Sequence, residues 1–486
     1  MPSAVRRRQS AVPQVVRAVP RGSLLAFPIT YPIPSGKRAT QMTDLSRTYV
    51  DECLGGNRGL AEAVARAGLP PAFEEAWRAH LLPRPWFVRA PETAAFARDL
   101  EGLFELLVSL PLRLFDGDVD RYAAEVGIDP PLAALLRRGG SGAPAKFGRA
   151  DAYHDGTGYK LLEFNLGSEV GGVDMAVFNQ GLLRVPEFAD FARVHRLDHV
   201  DIAARTAAVL RDRAKPALSG GGDPVVGLIE GRGGVAPYGR LMRATVEAMA
   251  EQGIDVRIGE IGDVRTRSDG KLTLAGTPLD LVLRNFAATQ LLEDPAGPDV
   301  AEPFFRAHRA GRTILFTSLE SGFYSNKSAL ALLTDPCRRG SFDADERALV
   351  DRVLPWSRTL HASVPAELVD LCRERRERLI LKPGAGYGGL DTFVGWECTD
   401  AEWDKAVRVA VERGGYVAQE RVVPRPEPVY DPATGEVDDW IAALGVFLTD
   451  EGYAGTHARA NRADGGAIVG MSSNPDTRMV GVFSHP

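Results

Sequence analysis

The chain has 486 residues, enough for two or three domains at the usual size of roughly 100–200 residues each. Hydrophobic residues make up 44% and charged residues 25%, a globular composition that excludes whole-chain disorder, collagen-like repeats and coiled coils. Lys plus Arg is 58 against 64 Asp plus Glu, a net charge of −6, so the charge balance predicts no nucleic-acid or anionic-membrane partner.

The first 41 residues stand apart. They carry Arg6, Arg7, Arg8, Arg17, Arg21, Lys37 and Arg38, recurrent proline, and no acidic residue before Asp44. A disordered basic tail over 1–41, or an upstream start with Met42 as the true one, fits this pattern better than a transit peptide or a nucleic-acid arm. From 42 to 140 the pattern is helical: Leu60, Ala63, Val64 and Ala67 recur at helical spacing, as do Phe104, Leu107, Val108 and Leu112. Two alternating segments follow, Lys146–Tyr153 and Tyr159–Leu166, separated by His154-Asp155-Gly156-Thr157-Gly158, which predicts a hairpin. A helix is expected around Val200–Lys215. Pro224–Glu230 reads as a buried strand, Tyr238–Gln252 as an amphipathic helix, and Asp255–Ile258 and Leu279–Arg284 as further strands, a βαβ unit with a parallel sheet. Leu379–Lys382, Tyr416–Val422 and Ala442–Thr449 are later strand candidates. The four cysteines (Cys53, Cys337, Cys372, Cys398) lie far apart and read as reduced thiols of a cytoplasmic protein. No apolar run approaches the ~20 residues that span a bilayer.

The hairpin carries the most chemistry. Residues two apart on a strand share a face, so Arg149 goes with Asp151, and Glu163 with Asn165. An odd loop, Asp155–Thr157 or His154–Gly158, pairs Arg149 with Glu163 and gathers all four on one surface; an even loop sends the two pairs to opposite faces. The glycines of the loop suit the three-residue form. Two carboxylates and an amide oxygen make an all-oxygen set suited to Mg²⁺, which keeps water and phosphate in its remaining positions. Arg149 beside them complements a transferring phosphoryl group. The alternative is a surface hairpin with a cross-strand ion pair; the glycine-rich run Leu166–Gly172 after Asn165 favours a ligand-approach loop.

A second cluster runs from Lys382-Pro383 through Gly384, Gly386, Gly388 and Gly389, where missing Cβ atoms let backbone N–H groups approach an anion beside the lysine. It is neither a Walker loop nor GxGxxG. Lys327, in Ser325-Asn326-Lys327-Ser328 before an apolar helix, is misplaced for the helix dipole unless it meets a phosphate. Gln419-Glu420, with Val422 beyond, lies on a strand whose backbone suits an adenine edge, and Arg459 sits in a late β segment. Gly231-Arg232-Gly233-Gly234 follows a strand and suits an anion. The eight histidines form no HExxH pair, and no GxSxG elbow exists.

In order and together, these segments resemble the ATP-grasp superfamily in its circularly permuted form, most specifically glutathionylspermidine synthases and their relatives, over residues 140–475. The sharpest match is R-x-D, eleven residues, then E-x-N. The resemblance implies an α/β fold with α+β elements: a helical region over 42–140, a metal-binding hairpin in 141–205, a βαβ pre-ATP-grasp-like domain over 206–315 and a nucleotide-binding part over 316–486. It implies Mg²⁺ on Asp151, Glu163 and Asn165, transition-state stabilisation by Arg149 and Arg459, and ATP held by Lys327, Lys382, Gly384, Gly386, Gly388, Gly389, Gln419, Glu420 and Val422. Ser168 is carried over as a contact to the acid substrate. Tyr387 or Leu390 stands where the family often has arginine, Val170 replaces a small hydroxyl residue, and no fused amidase domain is present. The implied function is an ATP-dependent carboxylate–amine ligase acting on small molecules through an acyl phosphate. A kinase on the same nucleotide site and a catalytically silent partner protein are the alternatives.

Overall fold

The computed structural model describes residues 45–140, 142–218, 220–386 and 389–486. The basic tail expected over 1–41, and Gly388 of the glycine cluster, lie outside the described residues.

A large antiparallel sheet organises the molecule. Its strands run in the order Arg478–Val480, Gly452–Arg462, Val437–Thr449, Gly148–His154, Tyr159–Leu166, with Glu427–Tyr430 pairing on the far end of Val437–Thr449. The expected hairpin is therefore completed by strands nearly 300 residues later in the chain. One face of this sheet is apolar and small: Ala150, Ala152, Phe164, Leu444, Val446, Ala458 and Ala460 are buried in the main core with Leu100, Leu103, Leu107 and Leu110 of the helix Ala90–Phe115. Alanines let the helix approach closely. By the strand period of two, the other face carries Arg149, Asp151 and Tyr153.

The hairpin expectation needs a correction. The loop Asp155–Gly158 has four residues, closed by a bond from Asp155 N–H to the Gly158 carbonyl and by Asp155 Oδ1, which accepts from Thr157 and Gly158 N–H. Such an even loop pairs His154 with Tyr159 and would put the polar pairs on opposite faces. The register then shifts between Asp151 and Ala152, leaving Leu162 as an extra residue. This bulge restores the parity: Arg149 faces Asn165 and Asp151 faces Glu163. The four polar groups do share one face, but with Asn165, not Glu163, opposite Arg149.

The expected βαβ unit is present. Val225–Glu230, the helix Val235–Glu251 and Asp255–Glu260 are followed by Leu281–Arg284 and Ile314–Phe316, all parallel, in the order Ile314, Leu281, Val225, Asp255. A third sheet, Ser357–Leu360, Tyr416–Glu420, Leu379–Pro383 and Phe393–Val394, encloses a small core around Trp403, whose indole N–H donates to the Cys372 carbonyl at 2.8 Å. Two features were not legible in the sequence: the strand Ser357–Leu360, and Trp86–Arg89, which pairs in parallel with Val482–His485 and stitches the helical region to the C-terminus. Among the described residues no helix is long and apolar enough to cross a membrane, and the four cysteines are free thiols.

A buried ion pair ties the first helix, Leu45–Leu54, to the large sheet. Arg84 is 1% and Glu427 3% exposed; they meet at 2.9 Å, and Ser46 Oγ donates to the same carboxylate at 2.5 Å. Glu427 also pairs with Arg425 at 2.7 Å, so the charge stranded by losing a partner is that of Arg84, when Glu427 is removed. Glu427→Ala is expected to lower unfolding stability by about 3–5 kcal/mol, and Arg84→Met together with Glu427→Leu by much less, measured by chemical denaturation.

Candidate active site

The polar face of the large sheet is arranged in cross-strand rows. Glu163, Asp151, Gly445 and His457 stand side by side on four adjacent strands; Asn165, Arg149 and Phe447 form the same-face row on one side of it, and Ala443 with Arg459 the row on the other. Arg149 donates through Nε (2.7 Å) and Nη2 (3.0 Å) to the two oxygens of Asp151, and Arg459 Nη2 donates to Asp151 Oδ2 at 2.8 Å. Asp151 is 3% exposed. Burial opposes its ionisation, but the two guanidinium groups outweigh that and hold its carboxyl far below the usual range. Glu163 is also lowered: burial is opposed chiefly by Lys327, whose Nζ lies 2.9 Å from its Oε2.

Asn165 Nδ2 lies 3.2 Å from Glu163 Oε1 and 3.4 Å from Asp151 Oδ2, bridging the two carboxylates. A flip of the amide presents its oxygen to the same point. Two carboxylates and one amide oxygen, with no third acidic, His or Cys ligand grouped there among the described residues, fit a cation that draws the rest of its shell from water and phosphate, as Mg²⁺ does.

These groups open onto a cavity of about 480 Å³ between the large sheet and the sheet around Trp403. Asp151, Glu163, Lys327, Lys382 and Arg459 line its polar end; Leu162, Ile380, Val422 and Val469 line its apolar end. Gly386, Gly389, Gln419 and Glu420 also border it. Asn326 caps the helix Lys327–Thr334 by accepting from Ser328 N–H at 2.8 Å, which sets Lys327 at the first helical position. Lys327 N–H bonds the Gly384 carbonyl at 2.8 Å and its Nζ donates to the Gly386 carbonyl at 3.2 Å, so the two lysine-bearing segments are physically joined. Lys382 donates to Gln419 Oε1 at 2.8 Å.

Four of the residues singled out stand behind the cavity wall. Arg149 is spent on Asp151 and, through Nη1, on the Gly171 carbonyl at 2.8 Å. Asn165 sits behind Glu163, and Gly384 packs against Ser328 and Asn326. Ser168 is buried, its hydroxyl donating to the Arg284 and Phe316 carbonyls at 2.7 and 3.1 Å. The Gln419 side chain faces Lys382 and the Leu162 carbonyl, and Glu420 pairs with Arg378 at 2.7 Å. The Gly231–Gly234 loop has no free cradle for an anion, since Gly233 and Val235 N–H already donate to the Glu260 carboxylate.

Sequence reasoning missed the loop Ala463–Gly470, which closes the apolar end. It is pinned by Tyr153 Oη on the Ala467 carbonyl (3.3 Å), Ala467 N–H on Glu397 (2.8 Å) and Asn461 on the Ile468 carbonyl (3.0 Å). Tyr153 was findable, because it shares the face of Asp151 two residues away. The Trp396 ring under the Arg421 guanidinium, 4.2 Å away at the rim, had no local signal.

No protein-family model matches the chain, and no curated protein matches it in sequence. Solved structures match in fold. A glutathione synthetase-like effector from Globodera pallida, in its apo form, superposes with a TM-score of 0.52 over 94% of this chain and all of that one, at 12% identity. The chain shares the overall fold of that glutathione synthetase-like effector. A protein from Methylobacillus flagellatus named for gamma-glutamylcysteine synthetase aligns over 79% of this chain and 85% of its own at 15% identity, but its TM-score of 0.39 carries no weight.

Burial pushes the Lys382 amine from 10.5 down to about 8. The unfolded chain therefore holds a proton that the folded chain has lost between about pH 8 and 10.5, so this lysine makes stability rise with pH across that window. Lysine-selective ¹³C NMR, with Lys382→Met to assign the signal, is expected to show a midpoint near 8; a midpoint near 10.5 would mean a solvated amine.

Proposed function

We propose that the protein is an ATP- and Mg²⁺-dependent ligase that joins a small carboxylic acid to an amine through an acyl phosphate. The observation that supports this most is the convergence on one cavity of Asp151, Glu163, Lys327, Lys382 and Arg459, drawn from four separate stretches of sequence, with an apolar recess at the other end. The finer likeness to glutathionylspermidine synthases rests on the R-x-D and E-x-N pattern, and the shared fold accords with it.

ATP would lie with its base among Leu162, Ile380, Val422 and Val469 and its phosphates toward Lys327 and Lys382. Asp151, Glu163 and Asn165 would hold Mg²⁺, which when bound supplies Lewis acidity to the phosphate oxygens. Lys327, now on Glu163, is within reach of both the carboxylate and the glycine segment, so it exchanges one anion for another at little electrostatic cost. Arg459 lines the cavity and is placed to offset charge on the transferring phosphoryl group. The Arg149 guanidinium is enclosed behind Asp151, so its part is to fix that carboxylate and the Gly171 segment. No side-chain nucleophile is needed: the acid attacks the γ-phosphorus, ADP departs, the amine attacks the acyl carbon, and inorganic phosphate departs.

The test is product analysis with ATP, Mg²⁺ and a pooled library of amino acids and polyamines. ADP with a new mass equal to acid plus amine minus water is expected. ADP with a phosphorylated acceptor would make the protein a kinase, and AMP with pyrophosphate would overturn the acyl-phosphate chemistry. If no nucleotide binds, the silent reading stands. Glu163→Gln and Asp151→Asn are each expected to abolish Mg²⁺-dependent nucleotide turnover with an unchanged circular dichroism spectrum; undiminished turnover in either would remove it from the metal site. Lys382→Ala is expected to raise the nucleotide Kd at least tenfold, in keeping with about 1.4 kcal/mol or more for a charged hydrogen bond, read by calorimetry.

A further inference from the structure

His457 has no place in the chemistry derived above, yet it stands in the same row as Glu163 and Asp151, separated from Asp151 only by Gly445. It is 2% exposed, and neither ring nitrogen makes a well-formed hydrogen bond; its polar neighbour is the Ala458 main chain, in a marginal contact. Buried polar atoms are nearly always paired, and a phenylalanine would pack against Phe447, 5.8 Å away, without leaving any unpaired. The fold nevertheless makes room for the imidazole. A Cβ at Gly445 would stand 2.6 Å from Nε2 and one at Gly172 would stand 2.6 Å from Cδ2, so both positions must lack one. Two residues along the same strand and face, Arg459 presents a second orphan: its Nε is buried and without a partner, although its Nη2 is bonded to Asp151.

We infer that His457 and Arg459 form an oxyanion subsite of the proposed ligase, their unpaired N–H groups receiving oxygens of the acid substrate or of the phosphoryl group it accepts. The inference rests on the ligase reading for the identity of the anion. Arg149 already gives three of its five N–H groups to Asp151 and Gly171 and does not border the cavity. Burial, with Arg149 and Arg459 nearby, keeps the imidazole neutral, so one ring N–H is a donor and the other nitrogen an acceptor throughout the physiological range. The ring lies under Gly172, in the stretch that Arg149 holds through the Gly171 carbonyl.

The experiment uses the full chain saturated with Mg·ADP and titrated by calorimetry with inorganic phosphate and, separately, with acetate. The His457→Phe variant is expected to lose about tenfold in affinity for one of these anions, with the Mg·ADP Kd unchanged, and His457→Gln, which keeps a donor, to recover most of it. Loss for phosphate alone identifies the phosphoryl group as the occupant, and loss for acetate the acid's carboxylate. As a second measurement that needs no variant to fold, ¹⁵N-histidine-labelled wild-type protein is expected to show one imidazole signal shifting on anion addition. Equal anion affinities in wild type and His457→Phe, or no imidazole shift, overturn the subsite while Mg·ADP binding leaves the ligase reading intact. Absence of Mg·ADP binding in the wild type overturns the ligase reading, and the subsite with it.

Discussion

A carboxylate as enclosed as Asp151 stays ionised only if cations surround it, and both of its oxygens are so held. Arg149 reaches it along its own strand and Arg459 from a strand two places away. Arg149 grips both oxygens and Arg459 adds a second cation at Oδ2; without Arg149, Oδ1 would lack a cationic partner in a low-dielectric setting. The ion triad thus welds the early hairpin to the late strands, and the rest of the polar face is set by where Asp151 stands: Glu163 opposite it, Asn165 bridging to Glu163, and Lys327 drawn to Glu163. Lys382 is buried beside this network, and that burial, with Lys327 nearby, makes its amine give up its proton readily against the pull of Glu163 and Asp151.

The same strands serve two purposes because of their pleat. Odd-numbered positions of Gly148–His154 hold the charges, and even-numbered ones, Ala150 and Ala152, lie in the core against the helix Ala90–Phe115. The bulge at Leu162 preserves that division across the hairpin. Without it the four-residue loop would turn Phe164 toward the cavity and Glu163 into the apolar core, an arrangement no helix packing would tolerate. Leu162 itself, freed from the pairing, becomes part of the apolar end of the cavity.

How much of this was legible in advance varies with range. The R-x-D and E-x-N spacing, the glycine cluster after Lys382 and the Asn326 cap are local patterns with local causes, and the structure places them around one cavity. The rule that residues two apart share a face would also have supplied Tyr153. The parity of the hairpin was not readable, since Gly156 and Gly158 suit three- and four-residue turns alike and only pairing with Val437–Thr449 decides where the bulge falls. Nor was the loss of Ser168 and Gln419 to internal hydrogen bonds, because their partners lie on other strands, the nearest of them 37 residues away.

By itself, then, the sequence determined which chemical groups are available and which of them share a strand face, because side-chain direction follows from a period of two and loop chemistry from glycine and proline. Tertiary structure alone decided which of those groups reach the cavity: Arg459 at its wall and Arg149 behind it, His457 buried beside them without partners, and the loop Ala463–Gly470 closing the apolar end. The physical reason is that burial and charge compensation depend on strands brought together from opposite ends of the chain. Such pairings carry no signature within either segment.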